Sequence, residues 1–574
     1  MKLTEAMSLE SSSILAHVQQ WLNGRAQVFQ DRCERHRFML LVVVSCVYFA
    51  VTSQLASWKP MWSDELFTLY IARLSSLSEI LAALATGADQ NPPSYYFLTH
   101  MFLKLMGEAP LVVRLPEVLG VFLMSLCLFY FLSNRLPTLY AIAAMTFPFT
   151  TVAFEYAYEA RPYGLVLGFT SLTFLCWQRA TERSRCVWWL VGLTASGAAA
   201  ISSHYYAVLL LVPLGVGELV RSWSGRRVDY PIWAAMGLTL LPLLLFYPLL
   251  EAASTYSQYF WSSPKWSNIP GFYLFLLMPT LGPIVATLIV ASVWGFSEES
   301  AGPSSDATTQ GLLLHEIAAG IGFITIPVVA VILAKLVTGA FASRYVLMAV
   351  IGFSILIPVA IHRIQARRKM VGVCFTVFVF AWFVFTGIIQ LRHQSSITNS
   401  WHKTYAFLQE RNQSQLPIVA ADLHSFMMIA HSAPQHLSSR IVYLADPQAS
   451  IRHLGHDTVD RGILDLNPWF HVPVEKYASF MSTHSQFLIY ARARGIPSWL
   501  GYYWPGHLDW IFCELSDAPV EIQLKGWDDD DLLFLVTSRV AKQTVNMSLG
   551  SPPAALGMSG GRTAPGLAQS LCRR

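Results

Sequence analysis

Charge is what this sequence has least of. Asp, Glu, Lys and Arg make up 13% of 574 residues against 54% hydrophobic residues, too few to clothe a soluble protein of this size and in the range of a membrane protein. The net charge of +4 is too small to argue for a nucleic-acid partner. Cysteine is equally uninformative: Cys46, Cys127, Cys176 and Cys374 sit in apolar runs, Cys33, Cys186, Cys513 and Cys572 lie far apart, and neither zinc spacing nor a disulfide framework can be read from them. No Gly-rich phosphate loop accompanies the soluble C-terminal stretch, and no short basic leader stands ahead of the first apolar run. The halves lack the self-similarity that secondary transporters tend to show.

What is abundant is apolar runs long enough to cross a bilayer. They fall near 38–57, 111–133, 138–153, 163–178, 187–203, 205–220, 232–250, 270–295, 316–336, 345–361 and 371–390, giving about eleven spans. The expected fold is therefore mainly α: a polytopic transmembrane bundle over 38–390, after a cytosolic segment 1–37 and before a soluble α/β domain over 391–541, with 542–574 a disordered tail rich in Gly, Ser, Pro and Ala. Alternating the spans puts Arg25, Arg32, Arg35 and Arg37, then Arg135, Arg179, Arg183 and Arg185, Arg221, Arg226 and Arg227, and Arg363, Arg367, Arg368 and Lys369 on one side, the cytoplasmic one by the distribution of basic residues. The connection near 296–315 carries Glu298, Glu299 and Asp306 and lends no support. An odd number of spans leaves the C-terminal domain outside, in the compartment of the loop Trp58 to Pro110, and the whole in the cytoplasmic (inner) membrane.

That first outer loop brings Trp62-Ser63-Asp64-Glu65 to the membrane boundary and continues to Asn91-Pro92-Pro93-Ser94-Tyr95-Tyr96. Adjacent carboxylates repel, and partial burial raises the pKa of at least one, which suits a base or a metal ligand; the plain alternative is a solvated helix end. Between them, Ser78 to Gly87 reads as a short surface helix able to roof a cavity.

Arg114, Arg161 and Arg344 all fall on the outer side, where basic residues are disfavoured. They call for anions, either Asp64, Glu117 and Glu159 or the phosphate of a ligand. His204, at the end of a span, is a candidate metal ligand beside a carboxylate, though an interfacial hydrogen-bonded His is the commoner case. The aromatic loop Tyr256, Tyr259, Phe260, Trp261 and Trp266 reads first as an interfacial belt and second as sugar-stacking surfaces. In the tail, alternating helices and strands predict a parallel or mixed sheet. Its ten histidines, among them His424, His431, His453, His456 and His471, read as surface residues, and Asp528 to Asp531 as a solvated turn.

Taken in order, Asp64-Glu65, Asn91-Pro92-Pro93-Ser94-Tyr95-Tyr96, Arg114-Leu115-Pro116 and Glu159-Ala160-Arg161-Pro162-Tyr163 resemble the GT-C class of polytopic glycosyltransferases, in the bacterial branch of protein-mannosyltransferase-like and lipid A aminoarabinose-transferase-like enzymes. The resemblance covers roughly the first 200 residues, the span beginning Arg344-Tyr345 weakly, and the tail hardly at all. It implies transfer of a sugar from a polyprenyl-phosphate carrier at the outer membrane face to an acceptor left open between protein, lipid and glycan. It further implies Asp64 as the catalytic carboxylate with Glu65 as its companion acid, and Arg114 and Arg161, to which the outer-side argument adds Arg344, near the donor phosphate. Glu159, Asn91, Tyr95 and Tyr163 are expected in the substrate pocket. The family often has His where this chain has Asn91, so a metal or proton role there lapses, and a divalent ion is left open. The competing readings are a lipid or solute transporter that uses intramembrane charge as its pathway, and a non-catalytic envelope scaffold.

Overall fold

The computed structural model describes residues 21–182, 186–293, 311–364, 369–411, 415–492, 507–528 and 531–539. Residues 1–20 of the expected cytosolic segment, most of the acidic connection near 296–315 and the expected tail at 542–574 lie outside the described residues. The chain is a polytopic helical bundle that carries a small mixed sheet at one end.

Within the described residues, each stretch expected to span is largely helical. Among the described residues, six helices are long and apolar enough to cross a membrane: Arg37–Trp58 (α1), Pro110–Ser133, Tyr205–Gly225, Asn268–Ser292, Leu314–Thr338 and Lys369–Arg411; a pair bent by 63°, Tyr230–Leu245 with Tyr247–Ser254, makes a seventh if it is one span. Thr138–Thr150, Val187–Ser203 and Ala349–Arg363 are apolar but shorter. Among the described basic residues, Arg135 follows the helix Pro110–Ser133 and Arg221 lies in the last turns of Tyr205–Gly225. Arg135 pairs with the buried Glu316 at 2.8 Å and Arg221 with the buried Glu218 at 2.6 Å, so part of the basic charge is neutralised inside the protein.

Between α1 and the helix Pro110–Ser133 the first loop folds into three short helices. Ser63–Ala72 (α2) starts after Pro60, and Leu77–Leu84 (α3) is capped by the Ser76 hydroxyl, which accepts the Glu79 N–H. Pro93–Met106 (α4) begins with Pro at a position where the missing N–H costs nothing. Gly87 closes α3 at φ +78°, and a Cβ there would lie 2.4 Å from the Ala252 carbonyl oxygen. The loop can therefore lie against the bent pair only with Gly at this position. From here on the helix Pro110–Ser133 is α5, Tyr163–Ala180 is α6, and Lys369–Arg411 is α7.

The change in composition expected at 391 falls inside α7, which runs unbroken for 43 residues from the bundle into the C-terminal region. Beyond it the sheet has the order β3-β2-β1-β4-β6-β5. Strands β1 (Ile418–Ala420), β2 (Ile441–Ala445), β3 (Val474–Lys476) and β4 (Gln486–Arg492) are parallel. The antiparallel pair β5 (Val520–Asp528) and β6 (Asp531–Ser538) completes one edge. Because side chains alternate across a sheet, Ile418, Ala420, Tyr443, Leu488, Tyr490 and Leu533 point to one face, while Val419, Val442, Ile489, Phe534 and Val536 point to the other. The second face is covered by Trp510, Ile511 and Phe512 within its own region. The first shares a core with Leu66, Leu69 and Tyr70 of α2 and with Tyr95 and Tyr96 of α4. The sheet thus uses the first loop as part of its hydrophobic core.

Asp531 is not the solvated turn residue expected. It is buried at the start of β6 and accepts from Tyr490 Oη at 2.8 Å; Asp529 and Asp530 lie outside the described residues.

Candidate active site

A cavity of about 1470 Å³ lies where the bundle meets the sheet region. Its polar lining comes from short segments at the tops of helices: Lys59 and Asp64 around the start of α2, Asp89 and Asn91 before α4, Glu155 to Tyr163 ahead of α6, His204 and Arg344, and His424 and Arg492 from the sheet region. Leu243, Leu250, Leu333, Val337 and Ile389 line the remainder.

Each outer-side arginine meets an acid, but in different ways. Arg344 Nη2 lies 3.1 Å from Asp64 Oδ2, whose side chain keeps 24% of its surface exposed. Its guanidinium stands among the rings of Trp62, Tyr163 and Trp261 at 5.7, 5.9 and 5.8 Å. Arg161 Nη1 donates to Asp89 Oδ2 at 3.0 Å and to the Asp64 carbonyl at 3.4 Å, while its buried Nε has no partner. Burial pushes the Asp89 carboxyl up, but the Arg161 charge and hydrogen bonds from Tyr96, Arg161 and Asn91 outweigh it, holding Asp89 below its ordinary range.

Arg114 differs from both, and here the structure corrects the expectation. It is fully buried and donates to Glu65 Oε1 at 2.7 Å and Oε2 at 2.8 Å, and to the carbonyls of Ala56 at 2.6 Å, Lys59 at 2.7 Å and Pro60 at 3.3 Å. Every N–H of the guanidinium is spent, so Arg114 has no donor to offer a phosphate. Glu65 is equally buried, and it also accepts from the Ala160 N–H at 2.7 Å and the Trp62 N–H at 3.3 Å. Burial pushes its carboxyl up, and Arg114, Lys59 and these hydrogen bonds more than reverse that, keeping it below the usual carboxylate range. Neither residue lines the cavity. The pair instead ties the end of α1, the start of α2 and the Glu159–Tyr163 loop together, which sets where Asp64 and Arg161 stand. Tyr95, expected in the pocket, is also buried off it, in the shared core.

Glu159, Asn91 and Tyr163 do reach the cavity. Glu159 pairs with Lys59 at 3.2 Å, and burial sets its carboxyl above the ordinary range despite that partner. Asn91 donates to Asp89 Oδ1 at 2.6 Å and so supports the partner of Arg161. His204 uses Nδ1 to accept the Tyr206 N–H at 3.1 Å, is ringed by Tyr163, Tyr206 and Tyr345, and feels the charges of Arg161 and Arg344. That surrounding does not fit a divalent cation, and among the described residues no three His, Cys, Asp or Glu side chains gather as a metal site.

Several lining residues were invisible to sequence reasoning. Asp89 stands two residues before Asn91, and Lys59 directly follows the first span, but nothing local marks either. His424 and Arg492 reach the cavity only through long-range packing. His431, also read as a surface residue, contacts Tyr70 Oη at 3.3 Å. Phe260 and Trp261 of the aromatic loop line the cavity, whereas Trp266 stays exposed beside Lys335.

Residues 90–250 match the family model of dolichyl-phosphate-mannose-protein mannosyltransferases. No curated protein sequence matches the chain. Among solved structures, the crystal structure of ArnT from Cupriavidus metallidurans in the apo state superposes with a TM-score of 0.52 at 11% identity, covering 87% of this chain and 97% of that one. The same protein bound to undecaprenyl phosphate gives 0.51 at 12% identity with the same coverage. An oligosaccharyltransferase from Archaeoglobus fulgidus, tethered to an acceptor peptide, follows at a TM-score of 0.39 and 10% identity, covering 87% of this chain and 74% of that one, too distant to bear on the site. The chain therefore has the fold of ArnT, a polytopic helical bundle with a small C-terminal sheet region, and over residues 90–250 it is similar to the dolichyl-phosphate-mannose-protein mannosyltransferases.

Proposed function

We propose that this protein transfers a sugar from a polyprenyl-phosphate carrier to an acceptor at the outward face of the inner membrane, with Asp64 as the general base. The observation that carries the reading is the double character of the cavity. It gathers the charged groups Asp64, Arg161 and Arg344. It is also lined by Tyr247, Val337 and Ile389, which are 59%, 73% and 48% exposed and belong to spanning segments. Such an opening lets a lipid tail enter from the hydrocarbon while its phosphate reaches the guanidinium groups. The ArnT relative with undecaprenyl phosphate bound shares this fold.

In the reaction, an acceptor hydroxyl or amine attacks the anomeric carbon, the bond from that carbon to the phosphate oxygen breaks, and the acceptor proton passes to Asp64. The polyprenyl phosphate departs with one more negative charge to be stabilised. Arg161 has a buried donor to spare for it, and a low-dielectric, preorganised guanidinium is worth more there than in water. Asp64 is the one carboxylate of the original pair that reaches the cavity. Glu65 is committed to Arg114.

Purified protein supplied with polyprenyl-phosphate sugars is expected to release polyprenyl phosphate in the presence of an acceptor. Asp64→Asn should lower turnover by at least about 100-fold without disturbing insertion or thermal stability. Near-normal release from that variant would overturn the base assignment; no release from the native protein with any such donor would favour a transporter.

A further inference from the structure

The Asp64 helix is held at both ends by a helix of the C-terminal region. Leu423–Ser432 (α8) lies beside α2, and both of its histidines bond to it: Ser63 donates its N–H to His424 Nδ1 at 3.4 Å, and Tyr70 Oη meets His431 Nδ1 at 3.3 Å. Each contact joins residues 361 positions apart, so the two helices run side by side in the same direction. The first contact is made at the residue adjoining Asp64. Phe426 and Ile429 of α8 share a core with Leu66 and Leu69 of α2, so the pair is packed as well as bonded.

We propose that α8 is a splint for the catalytic carboxylate, and that His424 is a positioning residue which sets Asp64 through the N-terminus of α2. The inference rests on the reading of Asp64 given above. To accept the Ser63 N–H, Nδ1 must be unprotonated, which places the ring proton on Nε2. The groups facing His424 are Asp422 on its own helix, Arg492 from β4, Asp64 and Glu65 from α2, and the Trp401 ring at 5.9 Å. Burial, and then Arg492, lower its affinity for a proton against the pull of the three carboxylates. The imidazole is thereby kept neutral and competent to accept at neutral pH. Protonation in acid would replace the accepting lone pair by an N–H aimed at another N–H, and the splint would release Ser63.

The test is steady-state transfer by the full-length protein. His424→Ala is expected to lower kcat about tenfold while the KM for the lipid-phosphate donor stays within about twofold. His424→Asn, whose Oδ1 can accept in place of Nδ1, should recover most of the loss. The acid limb of the pH–kcat profile should shrink in His424→Asn, since an amide does not titrate. Should His424→Ala fail to fold, the Asn variant and Tyr70→Phe, expected to lose about threefold, carry the test. Wild-type kcat in His424→Ala, an Asn variant as impaired as Ala, or an unchanged acid limb in the Asn variant would each overturn the splint. The control separates the two claims: if Asp64→Asn is inactive while His424→Ala is normal, only the splint fails, whereas an active Asp64→Asn removes the base assignment itself.

Discussion

Arg114, Arg161 and Arg344 bring one side chain to one end of the bundle and end in three situations. Sequence reasoning saw that each needed an anion, because outer-side arginines are disfavoured without one. It did not see that Glu65, with the carbonyls of Ala56, Lys59 and Pro60, would take every donor of Arg114, since Arg114 and Glu65 are 49 positions apart and nothing in either segment specifies the meeting. Removing one member of such a pair leaves an uncompensated buried charge, so their effect on activity would be felt through the fold. The same blindness to long-range partners hid Glu155. It lines the cavity near Lys59 and Glu159, and burial pushes its carboxyl up to about 7, with Lys59 opposing and Glu159 adding to the shift. The folded protein therefore holds this proton more tightly than the unfolded chain does. Stability falls as pH rises from the ordinary carboxylate range to about 7, and the full penalty is present above that. Glu155→Gln mimics the protonated form and should raise the melting temperature more at pH 8 than at pH 5. Equal shifts at the two pH values would mean that Glu155 ionises normally.

The spanning elements were legible because hydropathy alone dictates them. Their contacts were not. Helices α5 and α6 cross on glycine: a Cβ on Gly120 would lie 2.5 Å from the carbonyl carbon and oxygen of Gly164, and one on Gly168 would lie 2.4 Å from the Gly120 oxygen. These are backbone atoms that cannot swing aside, so even a methyl group must push the helices apart. Arg114 rides on α5 and Arg161 stands two residues before α6, so separation there opens the site. Gly120→Ala is expected to cost about 1–3 kcal/mol of stability, the usual penalty of overpacking, and to weaken donor binding. An unchanged melting temperature would show that the crossing is looser than described. In the C-terminal region the longer strands were readable from their β-branched and aromatic runs. The three-residue β3 and the polar helix Pro447–Leu454 are not legible because short or polar elements take their conformation from their surroundings, and Thr458–Phe470 because Gly462 and Pro468 interrupt its helical pattern.

At the scale of the whole molecule, the composition suggested a bundle followed by an independent soluble domain, and the packing joins them. Helix α7 crosses the compositional boundary without a break, and one face of the sheet finds its core in the first loop. Composition cannot reveal this, because a residue buried between two regions looks the same in sequence as one buried within either. Phe470, 3% exposed at the end of Thr458–Phe470, shows the coupling most directly: its ring packs edge-on against Phe67 at 5.2 Å and Tyr70 at 5.3 Å, both on α2. Phe470→Ala should cost about 3–5 kcal/mol, and the loss should not stay in the C-terminal region. Hydrogen–deuterium exchange is expected to quicken across 63–72 as well as across 458–470, because the cavity left behind is shared by both segments. If the faster exchange were confined to 458–470, the sheet region would be a separately stable unit, and the lining it gives to the cavity would come from docking alone. If α2 loosens with it, the helix that bears Asp64 is folded jointly by the bundle and the C-terminal region.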